Sequence, residues 1–218
     1  MTESSSLIPI RDVFEISKEL LGYGYDAIGF LFPEVASKVT ARKANNLIRI
    51  MRSAQAKLDE AKLKPEEREA VSLKLGLPFI EKASLEEDPT LQELWANLLA
   101  NALNPNHSSE IRTIFVDIIH NLSPFDALIL NAFNISSHPL IPKPLNQTMV
   151  KTNEGYKEFP TKTVEDSLAV LKSLNLVTDI AVSEDVFLGN TGIVHGDEIH
   201  LTPLGTLFTN ACVKDASK

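Results

Sequence analysis

Residues 91–102 read LQELWANLLANA, and they carry the strongest periodic pattern in the chain. Apolar side chains recur there at steps of three and four, the spacing that forms one broad face of an α-helix. They are Leu91, Leu94, Trp95, Leu98, Leu99 and Ala102. Asp88 followed by Pro89 is a typical helix start, and Ser84 with Glu87 offers the alternative spacing of a capping box. We therefore predict a helix at the centre of an N-terminal core, with Trp95 as its largest side chain.

The polar side of this predicted helix carries Glu93, Asn97 and Asn101, spaced four residues apart. The polar side of an amphipathic helix normally faces water. We interpret these three side chains as solvated, and the lining of a groove is the alternative.

A long helix is predicted ahead of this core, over residues 35–63. Its apolar positions recur at nearly heptad spacing, which favours pairing with another helix, within the chain or between subunits. These positions are Ala44, Leu47, Ile48, Met51, Ala54, Leu58 and Ala61. Arg42, Arg49 and Arg52 share a different face, at steps of seven and three. That face is either solvated or a binding site for phosphate or an acidic partner.

Proline and capping signals predict the other helices of an N-terminal bundle. Pro65, followed by acidic residues, is expected to open a helix that ends near Gly76, with a short helical link over residues 77–83. Further helices are predicted over residues 108–120 and 124–133. We place a domain boundary near Leu122, so that residues 1–121 form a helical domain.

The second predicted domain, residues 122–218, has a different sequence texture. Prolines break up a polar stretch between residues 134 and 162, which we expect to be an irregular loop with room for one short strand. The elements predicted after it are a helix at 163–174, strands at 177–182 and 197–202, and a helix at 203–212. This order resembles a winged helix-turn-helix. The predicted fold is mainly α, a helical bundle followed by a small winged-helix-like α+β domain.

Charge is distributed unevenly along the chain, whose formal net charge is −8. Residues 38–74 hold ten basic and five acidic side chains, whereas residues 121–218 hold seven basic and eleven acidic ones. DNA binding needs clustered cations at phosphates. The outward residues expected around the candidate recognition helix carry little positive charge, namely Lys162, Glu165, Asp166, Lys172 and Ser173. We therefore expect protein contacts in preference to nucleic-acid binding.

Two further features of the sequence bear on the cellular compartment of the protein and on its contact with a membrane. The single cysteine, Cys212, cannot form an intramolecular disulfide, which favours a reducing compartment, and we interpret it as a buried small hydrophobe. Residues 20–36 are apolar but too short and interrupted to span a bilayer. They are predicted to form a packed helical hairpin, and the alternative is a contact with a membrane or partner through Tyr23, Tyr25, Phe30 and Phe32. The expected location is the cytoplasm, with the inner-membrane surface as the alternative.

Motifs for catalysis or cofactor binding are missing from the sequence. It contains no phosphate-binding glycine loop, no His-Glu-x-x-His and no nucleophile elbow. His195 and His200, with Asp197 or Glu198, are close enough in sequence to suggest a metal site, but a hairpin exposes such residues by default. We predict no metal, no cofactor and no enzymatic activity.

Several segments resemble the bacterial abortive-infection alpha (Abi-alpha) family. They are LPFIEKASLEE at 77–87, LQELWANLLANA at 91–102, FVDII at 115–119, LSPFDA at 122–127 and LTPLG at 201–205. The resemblance implies a phage-defence protein that makes an infected cell arrest or die before phage is released. We expect it to act by binding, as a homo-oligomer, on a phage or host protein, or at a membrane. A winged-helix transcriptional regulator that binds DNA is the alternative.

Overall fold

A computed structural model of the chain describes residues 37–136, 139–143, 146–180 and 198–213. These residues are mainly helical, with small antiparallel sheets, which confirms the predicted predominance of helix. The helices are α1 Ser37–Glu60, α2 Leu73–Ala83, α3 Pro89–Leu103, α4 Ile114–Asn121, α5 Pro124–Ile135, α6 Thr161–Ser173 and α7 Pro203–Phe208. The strands are β1 Leu140–Lys143, β2 Gln147–Thr152, β3 Gly155–Pro160, β4 Val177–Ile180 and β5 Glu198–Leu201.

Contacts between residues divide the chain into two compact units. The helical unit contains the described residues up to Pro124 and also the segment from Asn210 to Val213. The second unit contains the described residues from Phe125 to Thr209. These units differ from the predicted domains, 1–121 and 122–218, because residues 210–213 belong to the helical unit.

Helix α3 is the centre of the helical unit, as predicted. The side chain of Asp88 caps it by accepting hydrogen bonds from the backbone N–H groups of Thr90, at 2.8 Å, and Leu91, at 3.2 Å. Every α3 residue from Leu94 to Leu103 is buried, so α3 is enclosed on all sides by its neighbours, which include α1 and α4. Trp95 is the largest fully buried side chain, and the ring of Phe79 meets it edge to face at 5.3 Å.

The predicted helix from Pro65 to Gly76 is wrong. Residues Pro65–Glu67 form only a 3-10 turn, and the next helix is α2, which runs through Pro78 without a break. Tertiary contacts override the local signal, because the backbone N–H of Glu69 donates to the Leu103 carbonyl at 2.9 Å and Val71 is buried. Residues 68–72 are therefore held against the core in a non-helical conformation.

The second unit contains a sheet where an irregular loop was expected. Strands β1, β2 and β3 form an antiparallel sheet in that order, so most of the proline-containing stretch is regular structure. Thr148 and Val150 alternate inward along β2, and Pro142 lies on β1, which pairs with β2 alone in this sheet. An edge strand tolerates proline because it has fewer ladder hydrogen bonds to donate.

The other predicted elements of this unit are confirmed. Helix α6 is present, and β4 pairs antiparallel with β5, with Val177 opposite Leu201. The glycine-containing segment between these two strands lies outside the described residues. Assignment of the unit as a winged helix-turn-helix stays a prediction.

Close packing fixes α7 against the residue that precedes β4. A Cβ atom at Gly205 would lie 1.9 Å from the backbone oxygen of Leu176, which also accepts a hydrogen bond from the Thr202 N–H at 3.0 Å. Only glycine fits at this position without a backbone shift.

Gly205→Ala should therefore lower the free energy of unfolding by about 2 kcal/mol or more, since overpacking against backbone cannot be relieved by a rotamer change. Thr206→Ala is the matched control, because Thr206 is exposed and loses only the hydrogen bond that its hydroxyl donates to the Thr202 carbonyl at 3.0 Å, so its effect should stay below about 1 kcal/mol. Urea unfolding followed by circular dichroism measures both, and equal stability of the two variants would contradict the close contact.

Candidate interaction face of helix α1

Helix α1 is long enough to present an extended surface, since its 24 residues span about 36 Å. One side is buried and packs against α3. Its buried apolar residues are Ala44, Leu47, Ile48, Ile50, Met51, Ala54 and Leu58. Arg42, Arg49 and Arg52 are all exposed, so the structure places the three predicted arginines on the outer side.

Two polar contacts fix this helix on the core. The Nζ atom of Lys57 lies 2.5 Å from Oε1 of Glu93 on α3, and the Lys57 side chain is only 10% exposed. Ser53 donates a hydrogen bond to the other carboxylate oxygen of Glu93, at 2.9 Å. Glu93 itself is exposed, as predicted, but it serves as an anchor for α1. The outer side of α1 therefore belongs to a rigid element.

The three arginines differ in their partners. Arg42 pairs with Glu87 at 3.3 Å, but both side chains are largely exposed, at 72% and 62%, so solvent weakens this ion pair. Arg49 and Arg52 make no ion pair or side-chain hydrogen bond within the described part of the chain. Their guanidinium groups can bind an anionic partner without breaking an ion pair or side-chain hydrogen bond to another described residue.

The other end of the same outer side is acidic. Asp59 and Glu60 are exposed in the last turn of α1, and exposed Ala56 separates them from Arg52. Asp59 accepts a hydrogen bond from Gln55 at 2.7 Å and lies 3.8 Å from a guanidinium nitrogen of Arg68. We call the set Arg42, Arg49, Arg52, Ala56, Asp59 and Glu60 the charged face.

The other predicted contact residues, Tyr23, Tyr25, Phe30 and Phe32, lie outside the described residues. No helix in the described part of the chain combines the length and apolar character required to cross a bilayer.

Two buried asparagines form a second feature, which the sequence interpretation missed. Asn97 donates through its side-chain amide to the Cys212 carbonyl at 2.9 Å, and Asn101 donates to the Ala211 carbonyl at 2.9 Å. Both side chains are buried, so their interpretation as solvated is wrong. Their burial could have been predicted from the scarcity of polar residues on the rest of α3, which is typical of a helix buried on all sides.

These contacts hold the π-helical turn Thr209–Val213 in place. Residues 210–213 follow α7 in the chain but belong to the helical unit. A carbonyl at a helix end lacks an intrahelical donor, so a side-chain amide that reaches it supplies the missing hydrogen bond. We call these two hydrogen bonds the asparagine clasp.

Cys212 is buried in the same place, which confirms its interpretation as a small hydrophobe. Burial raises the pKa of its thiol well above the ordinary value, because the surroundings disfavour a thiolate. The thiol is therefore protonated and unreactive at neutral pH.

The candidate recognition helix α6 carries lysines that already have partners. Lys162 pairs with Asp166 one turn along the helix, and Lys172 lies 2.7 Å from Asp179 on β4. The hydrogen bond that Lys162 donates to the Asp166 carboxylate raises the pKa of Lys162. Two of the few cations available to this helix thus have acidic partners within the second unit, although the Lys162–Asp166 pair is exposed and weakened by solvent.

Side chains that could bind a metal ion do not form a cluster in the described part of the chain. No group of three or more His, Cys, Asp or Glu side chains there is arranged to hold a metal ion. Of the four residues that suggested a hairpin metal site, His195 and Asp197 lie outside the described ranges.

Comparison with known proteins yields one match. The family model described as abortive infection alpha matches residues 42–212, which is well over half of the chain. No curated protein and no solved structure shows a significant match to the chain. The matched region begins at Arg42 and ends at Cys212, so it includes both the charged face and the asparagine clasp.

Replacement of Asn97 or Asn101 by alanine should lower the free energy of unfolding by about 1–3 kcal/mol each, because a buried carbonyl loses its donor. Asn121→Ala is the control, since Asn121 is exposed at the end of α4, and its effect should stay below about 0.5 kcal/mol. Chemical denaturation measures all three variants. A clasp variant as stable as the control would show that these hydrogen bonds contribute nothing.

Proposed function

Because the chain belongs to the abortive infection alpha family, we propose that it is a bacterial anti-phage defence protein that stops an infected cell before phage is released. The single observation that carries this proposal is the family match over residues 42–212. The resemblance noted in five sequence segments supports the same assignment, since those segments include the α3 core and the start of α7.

We propose that the protein acts by binding and not by catalysis, through the charged face of α1. Exposed arginines on a rigid helix are suited to an acidic partner, because a guanidinium group forms paired hydrogen bonds with a carboxylate or phosphate. Arg49 and Arg52 support this mode, since neither has an ion-pair partner among the described residues. The proposed partners are a second copy of the chain, a phage or host protein, or an anionic membrane surface.

The proposed place of action is the cytoplasm, and the inner-membrane surface is the alternative. Cys212 supports a reducing compartment, because the chain has a single cysteine and the structure holds it as a buried free thiol.

The alternative function is a DNA-binding regulator that uses the second unit. The α6 helix followed by the antiparallel pair of β4 and β5 supports this alternative, since a winged helix has the same order. The ion pairs of Lys162 and Lys172 weigh against it, because phosphate binding would have to break them. Salt-dependent binding to duplex DNA, lost on joint Lys162→Glu and Lys172→Glu substitution, would favour this alternative.

The defence proposal predicts a specific infection phenotype. Cells that express the protein should release less phage than cells without it, while infected cells still die. With joint substitution of Arg42, Arg49 and Arg52 by glutamate, phage titre should be at least tenfold higher than with the wild-type chain, because the charged face would repel an acidic partner. Plaque titre and survival of infected cells, measured across a panel of phages, test this expectation.

The control variant has the same change in net charge at another place. Lys74, Arg112 and Lys157 are exposed and lie outside α1, and their joint substitution by glutamate should leave defence intact. Unchanged phage titre across the panel with the wild-type chain would contradict the defence proposal. Equal loss in both triple variants would contradict the role of the charged face.

A further inference from the structure

The charged face of α1 has a polarity along the helix. Its arginines occupy the part towards the N-terminus, and its two acidic residues lie in the last turn. Arg49, Arg52 and Glu60 are exposed and make no ion pair or side-chain hydrogen bond with another described residue. One helix side thus carries free charges of both signs, separated by exposed Ala56.

The helix dipole does not account for this arrangement. The C-terminal end of a helix carries partial negative charge, so carboxylates in the last turn are locally unfavourable. The first turn of α1 contains no acidic residue that would use the opposite end of the dipole. Neither Arg52 nor Glu60 is placed to pair with the other within α1, because residues eight apart are too distant.

We propose that the charged face binds the charged face of a second copy of this chain in an antiparallel, two-fold symmetric pair. An antiparallel arrangement places the basic part of one α1 beside the acidic part of the other. Two-fold symmetry repeats each contact, so a single type of ion pair contributes twice. The inference rests on the proposed function, because it names the partner that binds the same charged face.

Ala56 sets the register of the pair. A two-fold axis that passes by Ala56 brings Arg52 of each copy beside Glu60 of the other, since both residues lie four positions, about 6 Å, from the axis. The small Ala56 side chain lets the two helices approach closely at the axis. Arg49 lies seven positions, about 10.5 Å, from the axis, so it extends the basic end past Glu60 of the other copy.

The pair should be weak and sensitive to salt. Exposed ion pairs are screened by dissolved ions, and the charged face offers only one apolar side chain. Full-length protein is expected to dimerise at low ionic strength, and its dissociation constant should rise at least tenfold between 50 and 500 mM salt.

Charge exchange tests the register directly. Arg52→Glu and Glu60→Arg should each raise the dissociation constant at least tenfold, because each places like charges opposite one another at two symmetric points. The double variant, Arg52→Glu with Glu60→Arg, restores opposite charges and should dimerise as wild type does. Lys74→Glu is the control, since Lys74 is exposed on α2, and it should leave the dissociation constant unchanged.

Sedimentation equilibrium on each full-length variant, with circular dichroism as the folding check, measures these constants. A wild-type chain that stays monomeric, single reversals that leave the dimer intact, or a double variant no more dimeric than the single ones would overturn the inference. Phage titre measured with the same variants separates the two proposals. A monomer that still defends refutes the pair alone, and a dimer that gives no defence refutes the proposed function alone.

Discussion

Complete burial of α3 from Leu94 to Leu103 is the constraint on which the rest of the helical unit depends. A helix enclosed on all sides must find partners for any polar side chain it carries. Asn97 and Asn101 meet this requirement by donating to the carbonyls of Cys212 and Ala211. Not every buried polar atom of α3 is hydrogen-bonded, since Nε1 of Trp95 and Oδ1 of Asn97 are buried without a hydrogen-bond partner among the described residues. Ala211 and Cys212 are thereby made part of the core that the middle of the chain builds.

The same constraint determines which surface is left for binding. Helix α1 commits its apolar side to α3, and the Lys57–Glu93 ion pair adds a fixed point between the two helices. Among the described residues, the charged face makes two ion pairs with other parts of the chain, Arg42 with Glu87 and Asp59 with Arg68, and its other charges are left for binding. A rigid helix that presents exposed arginines and carboxylates keeps them in a constant spacing. The fixed spacing of these charges favours binding to a partner, because less conformational freedom is lost on binding.

Sequence periodicity was sufficient for the elements whose packing follows local pattern. Helix α3, the inward side of α1 and the strands β4 and β5 could all be predicted from local pattern. The full burial of α3 could not, because Asn97 and Asn101 interrupt its apolar repeat and are buried through tertiary contacts with residues 212 and 211. The helix expected after Pro65 was wrong because the hydrogen bond from Glu69 to Leu103 is a tertiary contact that no local signal encodes. The β1–β2–β3 sheet was missed because edge-strand prolines look like loop residues. The charged face was half predicted, since the arginines were recognised and the opposing acidic end was not.

Hydrogen exchange along α3 tests the central claim that the asparagine clasp makes the C-terminal segment part of the core. The amides of residues 90–103 would be compared in the full chain and in a chain that ends at Thr209. Loss of both clasp acceptors leaves two buried amide groups unpaired and opens a gap beside α3. We expect the α3 amides to exchange at least tenfold faster in the shortened chain. Unchanged protection of α3 would show that the core is complete without residues 210–213 and that the asparagine clasp does not hold it together.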